Sequence, residues 1–592
     1  MGSLLITQCL QNDFLAPLGR LDPLPNPLHV GWSESLRLLG EDPSRGPMAT
    51  LLRACLEDAD LSMIHVRDWH DLSDPDQKAE MELFGAHCVQ GTPGSEFVAG
   101  LHDELTHHPR SHMVDSTSLN DTLEGNLSGL IERLSGPETR VGIVGVWTDV
   151  KIHYLLYELK TRFQRHNLAV CSALVASRQR RRHFEALEHF KGVLRVQVID
   201  SVSEFLEWLG APSPAREQLS HPEPPAPEVD CPDLEPGHPY RHLIKLLFRD
   251  CRKVELTPLG GGFSGARVYR TSSQDALGYR QAPFVVKLDR RDKIATERVR
   301  FEQVENILGS NAPQVREVVD LGEVSGLKYT YATMGVRPVR TLKSWLEGLP
   351  AGAEHDARAA AVLDEVLENV LGRLYGHRTS ERFRFFEYYS FLPRYAASTL
   401  ERARNVYGEE LSGPLCIGGQ QVPDPTPFYR AVQEGRLLDP ERESTSSWIH
   451  GDLNFANILL DENSNYWIID FFHTAYGHAV QDLAKLENDL KFILTPLPTP
   501  RDLERAVAVE ASLARGGGLI EGREGLLLAV LRRWVNRLLE GSEPVSYEIA
   551  LLRYAAHTLS FDESSLLQKK RALASVGFLS HKLASQQGIS AR

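Results

Sequence analysis

No apolar run in the 592-residue chain approaches the roughly 20 residues a helix needs to cross a bilayer, which excludes a helical membrane span. C-x-x-C pairs are missing as well. The seven cysteines (Cys9, Cys55, Cys88, Cys171, Cys231, Cys251, Cys416) are scattered, which excludes a zinc knuckle or disulfide framework and points to free thiols in a reducing compartment. Positive charge is in deficit. With 65 Lys and Arg against 79 Asp and Glu, the net charge of −14 argues against a broad nucleic-acid-binding face, and the run Arg178–Arg182 reads as a solvated helix start, with contact to an anion as the alternative. The opening MGSLLITQCLQNDF lacks a basic n-region and a small-residue cleavage site, so the expected location is the cytoplasm. Internal repeats are absent too.

What is present divides the chain. Its length exceeds what one hydrophobic core usually organises, so at least two domains are expected. Residues 211–239, rich in Pro and Glu without an apolar period, read as an extended linker between residues 1–210 and 240–592. Before the linker, strand-like runs at 4–7, 61–66, 141–146, 168–172 and 194–199 alternate with helical patterns such as 48–57 and 151–163, which predicts an α/β parallel sheet covered on both faces. After it, a β-rich stretch from Val254 to about Tyr331 precedes a mostly helical remainder, which predicts an α+β, two-lobed arrangement.

In the first part, LITQCLQNDF delivers Cys9 and Asp13 to a strand's C-terminal end, where open α/β sheets bind ligands. With IHVRDWHD, GAHCVQGTPGSEF and GVWTDVKI following in order, residues 3–210 resemble the isochorismatase-like hydrolases, nicotinamidases especially. That resemblance implies a Cys nucleophile, an Asp base and a Lys. The chain departs at all three: Cys9 stands at the Asp position, Ser116 near the Lys position and Lys151 at the Cys position. The ordinary amidase mechanism is therefore lost. Two readings remain, a rearranged hydrolase with Cys9 as nucleophile beside Lys151, and a retired site kept as pocket or scaffold; the second is favoured, with Lys151 available to an anionic ligand or to a partner such as Asp13.

Asp68, His70 and His87 match the family's metal-holding Asp, His and His, and suit a divalent transition metal such as Zn, Mn or Fe. Their alternative is a strand-end cap with a hydrogen-bonded core histidine. With a metal, the resemblance implies a pyridine-like ligand bound without cleavage. Self-association through this domain is a further family-level expectation.

In the second part, VELTPLGGGFSGARVYR places Gly260, Gly261, Gly262, Ser264 and Gly265 between two strands, either to fold backbone amides over nucleotide phosphates or as a plain hairpin. FVVKLDR then carries Lys287 on an apolar strand. In the following helix Glu297 falls within the apolar stripe of Ile294, Phe301, Val304 and Leu308, so it is the expected partner of Lys287, ahead of Glu302. Finally, in IHGDLNFANILLDENSNYWIIDFF, His450, Asp452 and Asn457 have the spacing H-x-D-x-x-x-x-N, and Asp470 follows an apolar strand. Phosphoryl transfer needs a base near the attacking hydroxyl and oxygen ligands for Mg²⁺; Asp452 suits the first role, Asn457 and Asp470 the second.

These motifs resemble the aminoglycoside and choline phosphotransferase branch of the protein-kinase-like fold, over residues 240 to 590. Gly451 and Phe472 depart from protein kinases, and only HTAYGHAVQ separates Phe472 from Asp482, which leaves no room for a long activation segment. Asp482 reads as a support for the loop. The resemblance implies an ATP- and Mg²⁺-dependent phosphotransferase acting on a hydroxyl of a small molecule or protein that the sequence does not name. The alternative is a non-catalytic nucleotide-binding switch or scaffold, since modules of this sort resemble those fused to sensor domains in bacterial conflict systems.

Overall fold

The structure, a computed structural model, describes all residues except 1, 20–21, 59, 103–104, 106–107, 124–125, 213–226, 260–265, 276, 331–338, 518–519, 540–543 and 590–592. Two compact units emerge, residues 1–303 with 314–331, and residues 304–313 with 332–592.

The first unit begins with a six-stranded sheet: β1 (Ser3–Gln8), β2 (Leu61–Asp68), β3 (Ser111–Ser116), β4 (Arg140–Val146), β5 (Leu168–Ala176) and β6 (Gln197–Ile199), in the order β3-β2-β1-β4-β5-β6. Every pairing is parallel. Alternate residues of β1 enter opposite cores, Leu5 one and Leu4 with Ile6 the other, as expected of a sheet covered by helices on both faces. Chain order reverses beside β1, so the ends of β1, β2 and β4 frame a crevice, and these strands carry Cys9, Asp68 and Lys151 to it. Two elements differ from expectation. The polar edge strand β3 has too little apolar character to announce itself, and Leu194 closes a helical turn, Phe190–Leu194, ahead of the shorter β6.

A second sheet in this unit contains β7 (Glu228–Asp230), β8 (Cys251–Pro258), β9 (Arg267–Asp275), β10 (Phe284–Arg290), β11 (Val315–Leu321) and β12 (Val324–Thr330), ordered β11-β12-β10-β9-β8-β7. It is antiparallel except for β7 on β8. Here the expected linker 211–239 is corrected: 213–226 lies outside the described residues, but β7 joins the sheet and Cys231 and Leu234 are buried in its core. Arg241 explains the order, donating to the carbonyls of Val229, Cys231 and Leu234 at 2.8 Å each, a polar anchor that a scan for apolar period misses.

The second unit is mostly helical, with helices Ala353–Val366, Pro393–Tyr407, Gln481–Asp489, Pro500–Ala514, Gly522–Leu538, Val545–Thr558 and Leu566–Gln586. Within it a hairpin pairs Ile458–Leu460 with Tyr466–Ile468, and Arg442–Ile449 pairs with Ala475–His478. No helix among the described residues is long and apolar enough to cross a membrane.

Candidate functional site

Asp68 ends β2, where Gln11 clamps its backbone, donating to its carbonyl at 2.6 Å and accepting from its N–H at 2.7 Å. His70 bridges to Val89, with N–H of His70 on Cys88 O and N–H of Gln90 on His70 O, which brings the His87 segment alongside. Both imidazoles are oriented by their Nδ1. His70 Nδ1 lies 3.0 Å from Gln77 Oε1, already an acceptor from Asp71 N–H, and His87 Nδ1 lies 2.7 Å from Gly85 O, so each Nδ1 is the donor and each Nε2 keeps its lone pair. Those Nε2 atoms face Asp68 Oδ2 at 3.9 and 3.7 Å. Three buried acceptors thus converge within 4.8 Å of one another, an arrangement that calls for a proton or a cation between them. The two histidines with their carbonyl and amide supports are the donor set a divalent transition metal uses.

The other oxygen of Asp68 has a different partner. Lys151, 1% exposed at the start of the helix Lys151–Thr161, ion-pairs with Asp68 Oδ1 and lies 3.1 Å from Asp121 Oδ1. Gln8 Nε2 donates to Asp121 Oδ2 at 2.9 Å and to Cys9 Sγ at 3.3 Å. Burial raises the pKa of Asp68, but Lys151 and His70 together outweigh it and hold the carboxyl below its usual range; for Asp121 burial wins and the pKa rises. Burial lowers the Lys151 pKa, yet Asp121 and Asp68 together hold it well above the ordinary value. Cys9 moves the wrong way for a nucleophile, its thiol pushed well up by burial and by Asp68, with Lys151 only a partial counterweight.

Asp13 is not the partner of Lys151, because its Oδ2 accepts from Cys88 N–H at 2.6 Å. Ser116 holds the Ser118 carbonyl at 3.1 Å and brings no charge. Asp121 and Gln8 are the members that sequence reasoning missed. Asp121 sits in a loop after a polar edge strand, and its signal was only the need of Lys151 for a buried counter-charge.

In the second unit, the segment His450–Asn457 is folded by its own side chains. Asn457 Nδ2 donates to Asp452 O at 3.0 Å, and His450 Nε2 to Ile469 O at 2.9 Å. Register does the rest: Ile458 pairs with Ile468 and Ile469 N–H donates to Asn457 O, so Asn457 and Asp470 flank the same end of one hairpin. The helix Gln481–Asp489 braces the loop from one stripe. Asp482 accepts from His450 N–H and Gly451 N–H, both at 2.8 Å; Asp489 accepts from Phe455 N–H at 2.9 Å; and Lys485 Nζ lies 2.7 Å from Asp452 Oδ1. Burial lifts the Asp489 pKa to about 6. Gly451 has φ +83°, and a Cβ there would meet the His473 carbonyl oxygen at 2.1 Å, which is why no arginine stands at this position. Lys485 and Asp489 were missed, though polar residues at helical spacing in an otherwise buried helix were the available signal.

In the first unit, Lys287 on β10 meets Glu297, Nζ to Oε2 2.7 Å, and Glu297 Oε1 accepts from Tyr329 O–H at 2.7 Å. Both charged groups are buried. Glu302 pairs instead with Arg298 at 2.9 Å. Gly260, Gly261, Gly262, Ser264 and Gly265 lie outside the described residues; the strands they join, β8 and β9, pair antiparallel.

Residues 251–414 and 394–560, together just over half of the chain, match the family model described as ternary complex associated domain 9. The chain belongs to that family. The ternary complex associated domain 9 region starts at the first residue of β8 and takes in Lys287, Glu297, Asp452, Asn457 and Asp470, whereas Asp68, His70, His87 and Lys151 precede it. Solved structures similar to part of the chain include the nicotinamidase/pyrazinamidase PncA from Bacillus subtilis, at 23% identity over 34% of this chain and 100% of that one, TM-score 0.27. The pyrazinamidase/nicotinamidase from Streptococcus mutans UA159 is similar at 22% identity over 33% and 100%, TM-score 0.28. The pyrazinamidase of Pyrococcus horikoshii in complex with zinc is similar at 19% identity over 34% and 99%, TM-score 0.26. No curated protein sequence matches the chain.

Proposed function

We propose that the chain is an ATP- and Mg²⁺-dependent phosphotransferase acting on a hydroxyl of a small molecule or protein, and that its N-terminal parallel-sheet part binds a small ligand without hydrolysing it. The observation that carries the reading is the hairpin that brings Asn457 and Asp470 together beside the Asp452 loop, with Asn457 Nδ2 on Asp452 O. Since Asn457 uses its amide nitrogen internally, its Oδ1 remains the ligand atom, and with the Asp470 carboxylate it offers the hard oxygen donors Mg²⁺ prefers. When bound, Mg²⁺ neutralises charge on the phosphate oxygens.

The chain's own groups divide the remaining work. Lys485 holds Oδ1 of Asp452, leaving Oδ2 to accept the proton of the acceptor hydroxyl as its oxygen bonds to the γ-phosphorus and ADP departs. Lys287, fixed by Glu297, supplies positive charge to the α- and β-phosphates. At the N-terminal site Asp68, His70 and His87 would hold a transition metal, which supplies a Lewis-acidic position for a ring nitrogen or an anion. With Cys9 buried in its thiol form and Lys151 locked between carboxylates, binding without turnover is the function those residues support.

The test is transfer of label from γ-labelled ATP in a cell lysate, with Asp452→Ala as the comparison. Labelled product that persists in Asp452→Ala removes this residue from the mechanism. One observation favours a second reading: the family description names a ternary complex, which suits a nucleotide-binding member of an assembly. Tight stoichiometric ATP binding with no labelled product would select it.

A further inference from the structure

The helix Arg291–Leu308 carries Glu297 on one face, and a second face of the same helix is tied to the first sheet. At roughly 100° per residue, Arg291, Arg298 and Glu302 share a stripe about a quarter-turn from the stripe of Ile294, Glu297 and Phe301. Arg298 is buried. Its Nη2 donates to Ser172 Oγ and to Asp200 O, each at 3.0 Å, and its Nη1 donates to Glu302 Oε1 at 2.9 Å. Ser172 in turn donates to Asp200 Oδ1 at 2.6 Å, so the receiving groups on β5 and after β6 are themselves fixed.

Flanking contacts repeat the pattern. Arg291 Nη1 reaches Glu207 at 2.7 Å. Arg37 Nε lies 3.6 Å from Glu302 Oε1, while its other nitrogens hold the carbonyls of Ser172 and Ala173, which an irregularity in β5 leaves out of register with β4, and of Val175, where the register resumes. Arg180, from the helix Arg180–His189, donates to Glu302 O at 3.3 Å. In β11, Asp320 Oδ2 accepts from Ser201 Oγ at 2.8 Å and Val202 N–H at 3.1 Å, capping the helix Val202–Leu209.

We propose that Arg298 is a positioning residue for the Lys287–Glu297 pair, so that the hydrolase-like sheet forms part of the structure that competent nucleotide binding requires. The inference rests on the proposed reading of Lys287 as a phosphate-binding residue. Its physical basis is that Glu297 and Arg298 are consecutive on a rigid helix: whatever sets the direction of the guanidinium sets the direction of the carboxylate. Arg298 is an unusual choice for a merely space-filling contact, since burying a guanidinium is favourable only where its donors are met. Three are met here, two of them by groups of the parallel sheet.

The experiment measures MgADP binding to the full chain by calorimetry, with thermal unfolding and hydrogen exchange over residues 291–303 recorded on the same samples. Arg298→Ala is expected to weaken MgADP about tenfold in the folded protein and to raise exchange in that segment, with partial recovery in Arg298→Lys. Ser172→Ala, which removes one acceptor and spares the charge, is expected to weaken binding less, and it serves should Arg298→Ala fail to fold. Lys287→Met reports on the underlying reading: if it binds MgADP as well as the unaltered chain, the nucleotide assignment and this inference both fall. If Lys287→Met loses binding while folded Arg298→Ala or Ser172→Ala keeps unaltered affinity and exchange, only the positioning role is overturned.

Discussion

Lys485 Nζ lies 2.7 Å from Oδ1 of Asp452, on a helix that also supplies Asp482 and Asp489 to the loop around that aspartate. The lysine is 13% exposed and its ammonium also faces the rings of Tyr554 and Phe561 at 5.4 and 6.0 Å. Holding one carboxylate oxygen selects a single rotamer of Asp452. Lys485→Met should therefore lower the rate of phosphate transfer by about 10- to 100-fold with little change in ATP affinity, whereas Asp452→Asn should remove about 10²–10⁴ of it. Initial rates with labelled ATP at saturating and limiting concentrations separate the two effects.

Lys151 is the charge that balances the N-terminal pocket. Lys151→Met leaves Asp68 and Asp121 buried without their shared cation, and should destabilise by about 3–5 kcal/mol. A calorimetric scan of the full chain that shows unchanged unfolding would remove Lys151 from that role. Lys151→Cys should still not hydrolyse nicotinamide, because Cys9 and Ser116 remain where the resembled family has its Asp and Lys.

Zinc binding to the full chain should depend on the histidines. His87→Ala should abolish it, and Gln77→Ala, which frees His70 Nδ1, should weaken it by about 10- to 100-fold. Titration with a competing chromophoric chelator reads both. Zinc affinity unchanged by His87→Ala would assign the cluster to capping and packing alone.

Stability should fall as pH drops through the histidine range. His478 is fully buried between Tyr389 O–H and Ser444 O–H, and burial pulls its pKa from 6.5 down to about 3. Between those values the unfolded chain binds the proton and the folded chain does not, so the contribution is complete above about pH 6.5 and is lost on acidification, about 2 kcal/mol of it by pH 5. His478→Gln should flatten the pH dependence of the full chain's unfolding midpoint over this window, read by thermal denaturation at a series of pH values.

Much of this was legible in the primary structure, for a physical reason. The parallel strands β1, β2, β4 and β5 are buried on both faces and read as continuous apolar runs, and Lys287 and Glu297 announce themselves because a charge inside an apolar stripe needs a counter-charge. Polar residues whose partners are distant in sequence gave no such signal. Asp121 meets Lys151 only after β3 and β4 are laid side by side with β1 and β2, and Lys485 meets Asp452 only when a helix crosses the loop. The order of residues 228–234 depends on Arg241, near in sequence, but acting through backbone carbonyls that a scan for apolar period does not register.

The carboxylate of Asp320 ends on the first turn of a helix whose strand neighbours belong to the other sheet of the first unit. For anyone cutting the gene, the Pro-rich stretch is therefore a poor place for the scissors. A chain begun at residue 240 would leave Arg291 without Glu207, Arg298 without Ser172 and Asp200, and Asp320 without Ser201 and Val202, and would turn to solvent a guanidinium that the intact protein buries.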